Sequence, residues 1–285
     1  MTEVLRNQIA PDAARLAGRT ILMSGGSRGI GLAIATAAGK AGANVVLLSK
    51  TDTPHPTLEG TIHTAVDQII AAGGQASAVV GDVRVDEDVQ RAVDHAVQTF
   101  GGIDIVVNNA SAINLAKTDA LDMKRYDLMQ DINVRGTFLL SKTALPHLRN
   151  SEHAHILTLS PPLNLDPKWA GMHLGYTMAK YGMSLTTLGL AEELKDEGVG
   201  VNSLWPETLI DTAAIRNLPG GMKMIQGARS AQVVADAAMA ILSSNPQNVS
   251  GNFFTDGQVL ELAGVKDLGK YAINPQIPLV EDIFL

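Results

Sequence analysis

The sequence contains no cysteine, which excludes disulfide bonds and thiol chemistry. It also lacks an uninterrupted apolar stretch of about 18 residues, so we do not expect a membrane span. Basic residues are the minority, with 22 Lys and Arg against 29 Asp and Glu, and they form no run. The resulting net charge of −7 argues against a nucleic-acid-binding surface.

The two ends of the chain carry no recognisable targeting signal. The stretch from Met1 to Thr20 contains acids and has no apolar core of the secretory type. The last residues, Ile283, Phe284 and Leu285, differ from the Ser-Lys-Leu peroxisomal address. We therefore expect a cytoplasmic protein.

Short apolar runs alternate with longer helical segments along the 285 residues, without a linker or an internal repeat. This alternation predicts an α/β fold, a doubly wound parallel sheet of the Rossmann type with about seven strands and helices on both faces. We predict one domain over residues 1–285. It includes a surface arm at 1–17 and an apolar tail at 265–285, which we expect to pack on the body or on a partner subunit, the alternative being a disordered tail.

The most informative stretch runs from Thr20 to Ala35. An apolar run, then small residues, then helix-forming residues indicate a buried strand, a tight turn and a helix that begins at the turn. Gly25, Gly29 and Gly31 allow the backbone to approach a ligand closely, and the helix N-terminus suits a pyrophosphate. The alternative is a glycine-rich turn without a ligand, and the spacing differs from the general dinucleotide fingerprint.

A second pattern is the pair Tyr176 and Lys180, which share one face of a predicted helix because they are four residues apart. A nearby ammonium lowers the pKa of a phenol, which would make Tyr176 a general acid/base. By itself the pattern arises often by chance. Polar or turn residues follow the predicted strands, and we expect them to converge on one crevice: Ser24, Ser49, Asp82, Asn108, Ser160 and Pro206.

In order and spacing, these motifs resemble those of the short-chain dehydrogenase/reductase family over nearly the whole chain. The resemblance implies that Tyr176 exchanges a proton with the substrate oxygen and that Lys180 holds the nicotinamide ribose. It further implies that Asn133 fixes a water of the proton relay and that Ser160 hydrogen-bonds the substrate oxygen. The expected cofactor-binding residues are Gly25, Ser27, Arg28, Gly29, Ile30, Gly31, Lys50, Asp82, Val83, Asn109, Ala110, Tyr176 and Lys180.

The residues after the second strand bear on the choice of cofactor. An acid there would bind the ribose of NAD and repel the phosphate of NADP. Here Ser49 occupies the position, with Lys50 next to it and Arg28 in the glycine turn. We therefore predict NADP(H), the alternative being that Lys50 is a solvated surface lysine.

Three features depart from the family pattern. Ser160 lies sixteen residues before Tyr176, which places Pro161 in the usual serine position. Glu207 follows Pro206 where most members have glycine, and Gln258 ends a motif that usually ends in glycine. These departures motivate an alternative, a protein that binds NADP(H) without turnover, and an epimerase is a weaker third choice.

Together these observations predict an oxidoreductase that transfers a hydride between NADP(H) and a carbonyl or alcohol substrate. We include lipophilic compounds among the candidate substrates. No metal site is expected, since His153, His155 and His173 show no ligand grouping. Met222 and Met224 lie in a glycine-rich segment that is either a lid over the substrate or irregular packing. Apolar residues on more than one helix face predict a homodimer or homotetramer: Phe138, Leu139, Leu140, Met183, Leu185, Leu188 and Leu190.

Overall fold

The computed structural model describes residues 8–55, 58–218 and 220–285. They contain a seven-stranded, all-parallel sheet in the order β3-β2-β1-β4-β5-β6-β7, so the predicted fold class is confirmed. The strands are β1 (Thr20–Ser24), β2 (Asn44–Ser49), β3 (Gln75–Val80), β4 (Ile105–Asn108), β5 (His155–Thr158), β6 (Gly200–Trp205) and β7 (Asn252–Thr255). Strand order reverses between β1 and β4, which is where ligands bind in such sheets.

Helices connect the strands. They are α1 (Gly29–Lys40), α2 (Ile62–Ala71), α3 (Asp86–Phe100), α4 (Met123–Met129), α5 (Gly136–Leu148), α6 (Pro167–Met172), α7 (Leu174–Glu193), α8 (Ala213–Arg216), α9 (Gly221–Met224), α10 (Gln232–Leu242) and α11 (Asp256–Leu262). Short 3₁₀ turns add Ala13–Leu16, Ile225–Gly227 and Gly269–Tyr271. None of the described helices is long and apolar enough to cross a membrane.

The core has two layers because successive side chains of a strand point to opposite faces of the sheet. Ile21 and Met23 of β1 pack on the side of α1 and α10, whereas Leu22 packs on the side of α3 and α5. Both faces are covered, which explains why the strands read as continuous apolar runs. The carboxyl ends of the strands remain at one edge of the sheet.

The helical region that contains α4 and α5 is interrupted. Between α4 and α5 the chain forms a π-helical turn, Gln130–Arg135, which contains Asn133. Turns of this kind are rare and often lie at functional sites. Hydrophobic periodicity does not predict them, since one wider turn leaves the apolar pattern nearly unchanged.

Both ends of the chain pack on the body where they are described. In the predicted arm, residues 1–7 lie outside the described residues, but Leu16 is fully buried and the Ala10 N–H donates to Ser244 Oγ at 3.0 Å. The predicted tail also packs inward, since Tyr271 and Phe284 are buried. Pro56, in the predicted loop after β2, lies outside the described residues as well.

Candidate active site

The glycine turn lies against the end of β4. Gly25 has φ 74°, and a Cβ on it would lie 2.8 Å from Ala110 Cα. A Cβ on Gly31 would lie 2.4 Å from Asn109 Nδ2. Glycine is therefore required at both positions, because the loop that follows β4 approaches the turn so closely.

The Asn109 side chain joins the loop after β4 to the glycine turn by hydrogen bonds. Its Nδ2 donates to the carbonyl oxygen of Gly25 at 2.6 Å and to that of Ser24 at 3.2 Å. The Ala110 N–H donates to Ser24 Oγ at 3.2 Å. These bonds place Asn109 and Ala110 beside the start of α1.

A cavity of about 610 Å³ begins at this turn and extends to Lys180. Its lining includes all of the predicted cofactor-binding residues: Gly25, Ser27, Arg28, Gly29, Ile30, Gly31, Lys50, Asp82, Val83, Asn109, Ala110, Tyr176 and Lys180. Ser160 and Asn133, the other two predicted site residues, are not part of this lining. The cavity therefore extends from the glycine turn to the Tyr176/Lys180 pair.

Two basic residues lie near the glycine-turn end of the cavity. Arg28 Nη2 donates to the Gly60 carbonyl at 3.3 Å, whereas its buried Nη1 has no hydrogen-bond partner among the described residues. The Lys50 side chain is 63% exposed, and its Nζ lies 3.9 Å from Asp82 Oδ2. An anionic group of a bound cofactor would supply the acceptor that Arg28 Nη1 lacks.

The Asp82 carboxylate is held by Arg84. Arg84 Nε and Nη2 donate to it at 3.0 and 2.7 Å. This bond lowers the pKa of Asp82, which burial alone would raise. Asp82 is thus an ionised group in a fixed orientation beside the cavity.

At the opposite end of the cavity, α7 places Tyr176 and Lys180 on its buried face. Lys180 Nζ donates to the Leu159 carbonyl at 2.7 Å and lies 5.1 Å from the centroid of the Trp205 ring. Burial lowers the pKa of Lys180 to about 7, and the nearby Asp282 carboxylate works against that shift.

The pKa of Tyr176 is not lowered, contrary to the prediction from its spacing to Lys180. Burial, and after it the negative charge of Asp282, raise the pKa of Tyr176. The physical reason is that the whole site is desolvated, so the charge of Lys180 is itself disfavoured. A sequence gives the spacing of Tyr and Lys but not the cost of burying them.

Asn133 lies in the π-helical turn and is fully buried. Its Oδ1 accepts the Ala112 N–H at 2.8 Å, and its Nδ2 donates to the Ala112 carbonyl at 2.9 Å. This paired contact fixes the loop after β4, close to the cavity-lining residues Ser111 and Ile113. The amide of Asn133 is therefore engaged with the backbone.

Ser160 is also fully buried, but it faces away from the cavity. Its hydroxyl lies 2.8 Å from that of Ser203 on β6, which in turn donates to Thr187 Oγ1 at 2.8 Å. The expected contact with a substrate oxygen does not match this orientation. The sequence contains the reason, since Pro161 occupies the usual serine position and turns the chain after β5.

The structure explains why a glutamate, and not the usual glycine, follows Pro206. Glu207 Oε1 accepts the Thr255 hydroxyl at 2.6 Å, and Glu207 Oε2 lies 3.6 Å from Arg229 Nη1. A Cβ on Gly257 would lie 2.1 Å from Glu207 Oε2, so Gly257 leaves room for this side chain. The glutamate and the glycine of the Asp256-Gly257 motif are thus complementary.

Sequence reasoning missed the contribution of the tail. Asp282 and Ile283 line the cavity together with Tyr176 and Lys180. Only the two adjacent acids Glu281 and Asp282, within the otherwise apolar stretch from Val280 to Leu285, hinted at such a role. Of the two methionines in the predicted lid, Met224 lines the cavity, whereas Met222 is exposed.

Comparison with known proteins identifies the family. The sequence profile described as short chain dehydrogenase matches residues 19–220. The chain belongs to the short-chain dehydrogenase/reductase family. Members of this family are oxidoreductases that bind a nicotinamide cofactor.

Among curated relatives, the chain is 52% identical to hydroxysteroid dehydrogenase-like protein 2 of Xenopus tropicalis over 275 residues. It is 50% identical to the human protein of that name, also over 275 residues. Both alignments cover 96% of this chain and 65% of the relative, so the chain spans about two thirds of their length. Three stretches of this sequence resemble that protein: Lys50 to Pro56, His155 to Leu165 and Trp205-Pro206.

Solved structures agree with this assignment. A short-chain dehydrogenase from Mycobacterium thermoresistibile is 48% identical, with a TM-score of 0.90 over 95% of this chain and 96% of that one. A short-chain dehydrogenase from Burkholderia cenocepacia, in complex with NADP, is 30% identical. Its TM-score is 0.73, over 85% of this chain and 97% of that one.

Proposed function

We propose that this short-chain dehydrogenase/reductase transfers a hydride between NADP(H) and a carbonyl or alcohol substrate. One observation carries the proposal. A single cavity of about 610 Å³ joins the glycine turn and its two basic residues, Arg28 and Lys50, to Tyr176 and Lys180. A dinucleotide that fills the cavity would reach from the basic end to the tyrosine.

In this proposal the chain holds the cofactor from both ends. The N–H groups at the start of α1 face the pyrophosphate. Arg28 and Lys50 pair with the 2′-phosphate of the adenosine ribose, and the unpartnered Nη1 of Arg28 supports this assignment. At the opposite end, Lys180 holds the nicotinamide ribose. The Burkholderia cenocepacia relative, which was crystallised with NADP, is consistent with the choice of NADP(H).

The bound nicotinamide supplies or accepts the hydride, and the protein supplies position and a proton. Tyr176 donates its phenolic proton to the substrate oxygen during reduction and takes it back during oxidation. Lys180, when protonated, stabilises the phenolate that remains. Asn133 holds the loop of Ala112 beside the site, and its family role in the proton relay remains part of the proposal.

We also propose a lipophilic substrate. Many of the side chains that line the cavity are apolar, among them Ile113, Leu115, Leu209, Ile215, Leu218 and Met224. Burial of apolar substrate surface against such side chains contributes about 25 cal/mol per Å².

A second candidate function is NADP(H) binding without turnover. The observation that favours it is the buried Ser160–Ser203 hydrogen bond, which removes the usual second donor to a substrate oxygen. Tyr176, Lys180 and Asn133 argue for turnover, because a sensor has no need of a general acid. We favour the enzyme for this reason.

The experiment is a single-turnover assay of the purified protein with NADPH across aldehydes, ketones, acyl and sterol substrates, followed by NADPH absorbance. The enzyme proposal predicts oxidation of bound NADPH by at least one apolar carbonyl compound. Tight NADPH binding without oxidation by any compound of the panel would instead support the sensor.

We further propose that residues 1–285 act as one NADP-binding domain, with a cytoplasmic location and a homodimeric or homotetrameric assembly.

A further inference from the structure

The last described residues, 280–285, lie across the carboxyl edge of the sheet. The Asp282 N–H donates to the Glu207 carbonyl at 3.0 Å, and Trp205 Nε1 donates to the Ile283 carbonyl at 3.0 Å. Both partners belong to the chain at or just after the end of β6. We call residues 280–285 the closing segment. Its backbone is therefore joined to the strand end nearest the catalytic tyrosine and lysine.

Phe284 anchors the closing segment. It is 2% exposed, and its ring centroid lies 5.3 Å from that of Tyr181, 5.8 Å from Trp169, 5.9 Å from Trp205 and 6.1 Å from Tyr176. Its φ of 77° is unfavourable for a residue with a side chain and persists only where the surroundings impose it. Burial within four aromatic rings is sufficient to impose it.

The anchored segment places one carboxylate in the catalytic cavity. Asp282 lines the cavity with Tyr176 and Lys180, and its Oδ1 accepts the N–H of the next residue, Ile283, at 2.7 Å. Asp282 has no role in the family pattern described above.

Several other charged groups surround this carboxylate. Asp256, at the start of α11, is a second acid whose charge acts on Asp282. The Glu207 side chain is turned toward Thr255 and Arg229, so only its backbone carbonyl meets the closing segment.

The charges of Asp282 and Lys180 support each other. Burial raises the pKa of Asp282 to about 7, and Asp256 raises it as well, whereas Lys180 lowers it. Burial lowers the pKa of Lys180 to about 7, and Asp282 opposes that change. Each charge therefore favours the charged form of the other group, whereas burial disfavours both charged forms.

We propose that Asp282 is a positioning residue of the active site, which keeps Lys180 protonated, and that Phe284 holds Asp282 in place. The consequence for catalysis rests on the proposed function. A protonated Lys180 is the form that holds a ribose hydroxyl and stabilises the Tyr176 phenolate after proton transfer. Without the Asp282 charge, Lys180 loses its proton at a lower pH.

The direct test needs neither substrate nor cofactor. The whole chain is labelled with ¹³C at the lysine Cε atoms, and the Lys180 resonance is assigned by its absence in Lys180→Met. In Asp282→Asn, the midpoint of the Lys180 titration should fall by about one pH unit or more. Asp282→Glu should restore part of the shift, and Glu281→Gln, which alters the exposed neighbouring acid, should cause none. An unchanged Lys180 midpoint in a folded Asp282→Asn protein overturns the proposal.

The reciprocal variant covers the case in which Asp282→Asn does not fold. In Lys180→Met, the ¹³C carboxyl resonance of Asp282 should titrate at a higher pH, because the coupling acts on both groups. An Asp282 midpoint that stays at the wild-type value contradicts the pairing. Phe284→Ala should move the Asp282 midpoint to lower pH, because an Asp282 that is no longer held in the site regains contact with water. Ile277→Ala, at an exposed position of the same tail, should leave it unchanged.

Steady-state kinetics test whether Asp282 affects turnover through Lys180. In Asp282→Asn, the alkaline limb of the kcat/KM profile should move to lower pH in parallel with the Lys180 resonance. If NADPH binds but no substrate turns over, the proposed enzyme function fails while the Lys180 titration still decides the role of Asp282. If turnover occurs and neither the resonance nor the profile moves, the role of Asp282 fails while the enzyme function stands.

Discussion

The hydroxyl oxygens of Ser160 and Ser203 lie 2.8 Å apart in the protein interior, joining the chain after β5 to β6. Both side chains are fully buried, and Thr187 on α7 extends the bond into a short hydroxyl network. Ser160 therefore stabilises the fold beneath the cavity. The residue that usually serves as second hydrogen-bond donor in this family is turned away from Tyr176.

This bond leads to a prediction for Ser160→Ala. The variant should lose about 1 kcal/mol of unfolding free energy, since one buried hydrogen bond is removed. Its kcat should stay near the wild-type value. Ser203→Ala is the matched control, because it deletes the other side of the same bond together with the bond to Thr187. It should lose at least as much unfolding free energy as Ser160→Ala and keep a kcat near the wild-type value, in denaturant unfolding and steady-state kinetics. A tenfold or larger loss of kcat in Ser160→Ala alone would return Ser160 to the catalytic set.

Cofactor choice depends on the basic residues beside the glycine turn. Lys50→Ala should weaken NADP+ binding about tenfold or more and leave NAD+ binding unchanged, because a charge-assisted bond to the 2′-phosphate contributes about 1.5–3 kcal/mol. Titration calorimetry with both nucleotides measures the two affinities. Lys40→Ala, at the exposed end of α1, is the control and should bind like the wild type. Equal wild-type affinities for NADP+ and NAD+ would end this claim.

The exposed faces of α5 and α7 predict self-association. Phe138, Leu185 and Leu188 are 53%, 57% and 48% exposed, which is unfavourable for an isolated 30.0 kDa chain. Light scattering at micromolar concentration should show a dimer or tetramer, and Leu185→Glu should shift it toward the monomer. Ile70→Glu, an equally exposed site on α2, should not. A wild-type protein that scatters only as a monomer would refute the prediction.

His155 predicts a stability change with pH. Burial lowers its pKa to about 3, so the folded state keeps it neutral while the unfolded chain takes up a proton below about pH 6.5. The contribution of neutral His155 to the free energy of unfolding is therefore lost as the pH falls from about 6.5 toward 3. The loss is at most about 1.4 kcal/mol per pH unit. Asp256 and Asp282, whose pKa values are raised, act in the opposite direction, so a single curve does not isolate His155.

The comparison with His155→Gln removes that ambiguity. The variant should become more stable relative to the wild type as the pH falls from 6.5 to 4.5, in urea unfolding at several pH values. His147→Gln, a partly exposed site, should follow the wild-type curve. Parallel curves for wild type and His155→Gln would show that His155 is not held neutral.

Much of the fold follows from local patterns. The apolar runs and the glycine turn determined β1, α1 and the sheet, because a buried parallel strand and a tight turn each have a distinct composition. The spacing of Tyr176 and Lys180 placed them on one face of α7. Their common cavity with Asn109 follows from the carboxyl ends of parallel strands meeting at one edge.

What sequence patterns did not predict depends on long-range packing. The π-helical turn at Asn133 serves a contact with Ala112, which lies on a different segment. The orientation of Ser160 is set by Ser203, and the raised pKa of Tyr176 by burial. The closing segment reaches the site only because Phe284 enters an aromatic box assembled from distant parts of the chain.

The central claim is that Tyr176 is the general acid/base of an NADP(H)-dependent reductase, with Lys180 as its partner. The most direct measurement is single-turnover oxidation of bound NADPH by Tyr176→Phe, with a carbonyl substrate found in the panel. The account predicts wild-type NADPH affinity with turnover lowered by about 10² or more, since only the phenolic proton is lost. Lys180→Ala should impair both binding and turnover. Tyr271→Phe, which removes a hydroxyl bonded to Asp236 outside the cavity, should turn over like the wild type. A Tyr176→Phe protein that oxidises NADPH at the wild-type rate would contradict the account.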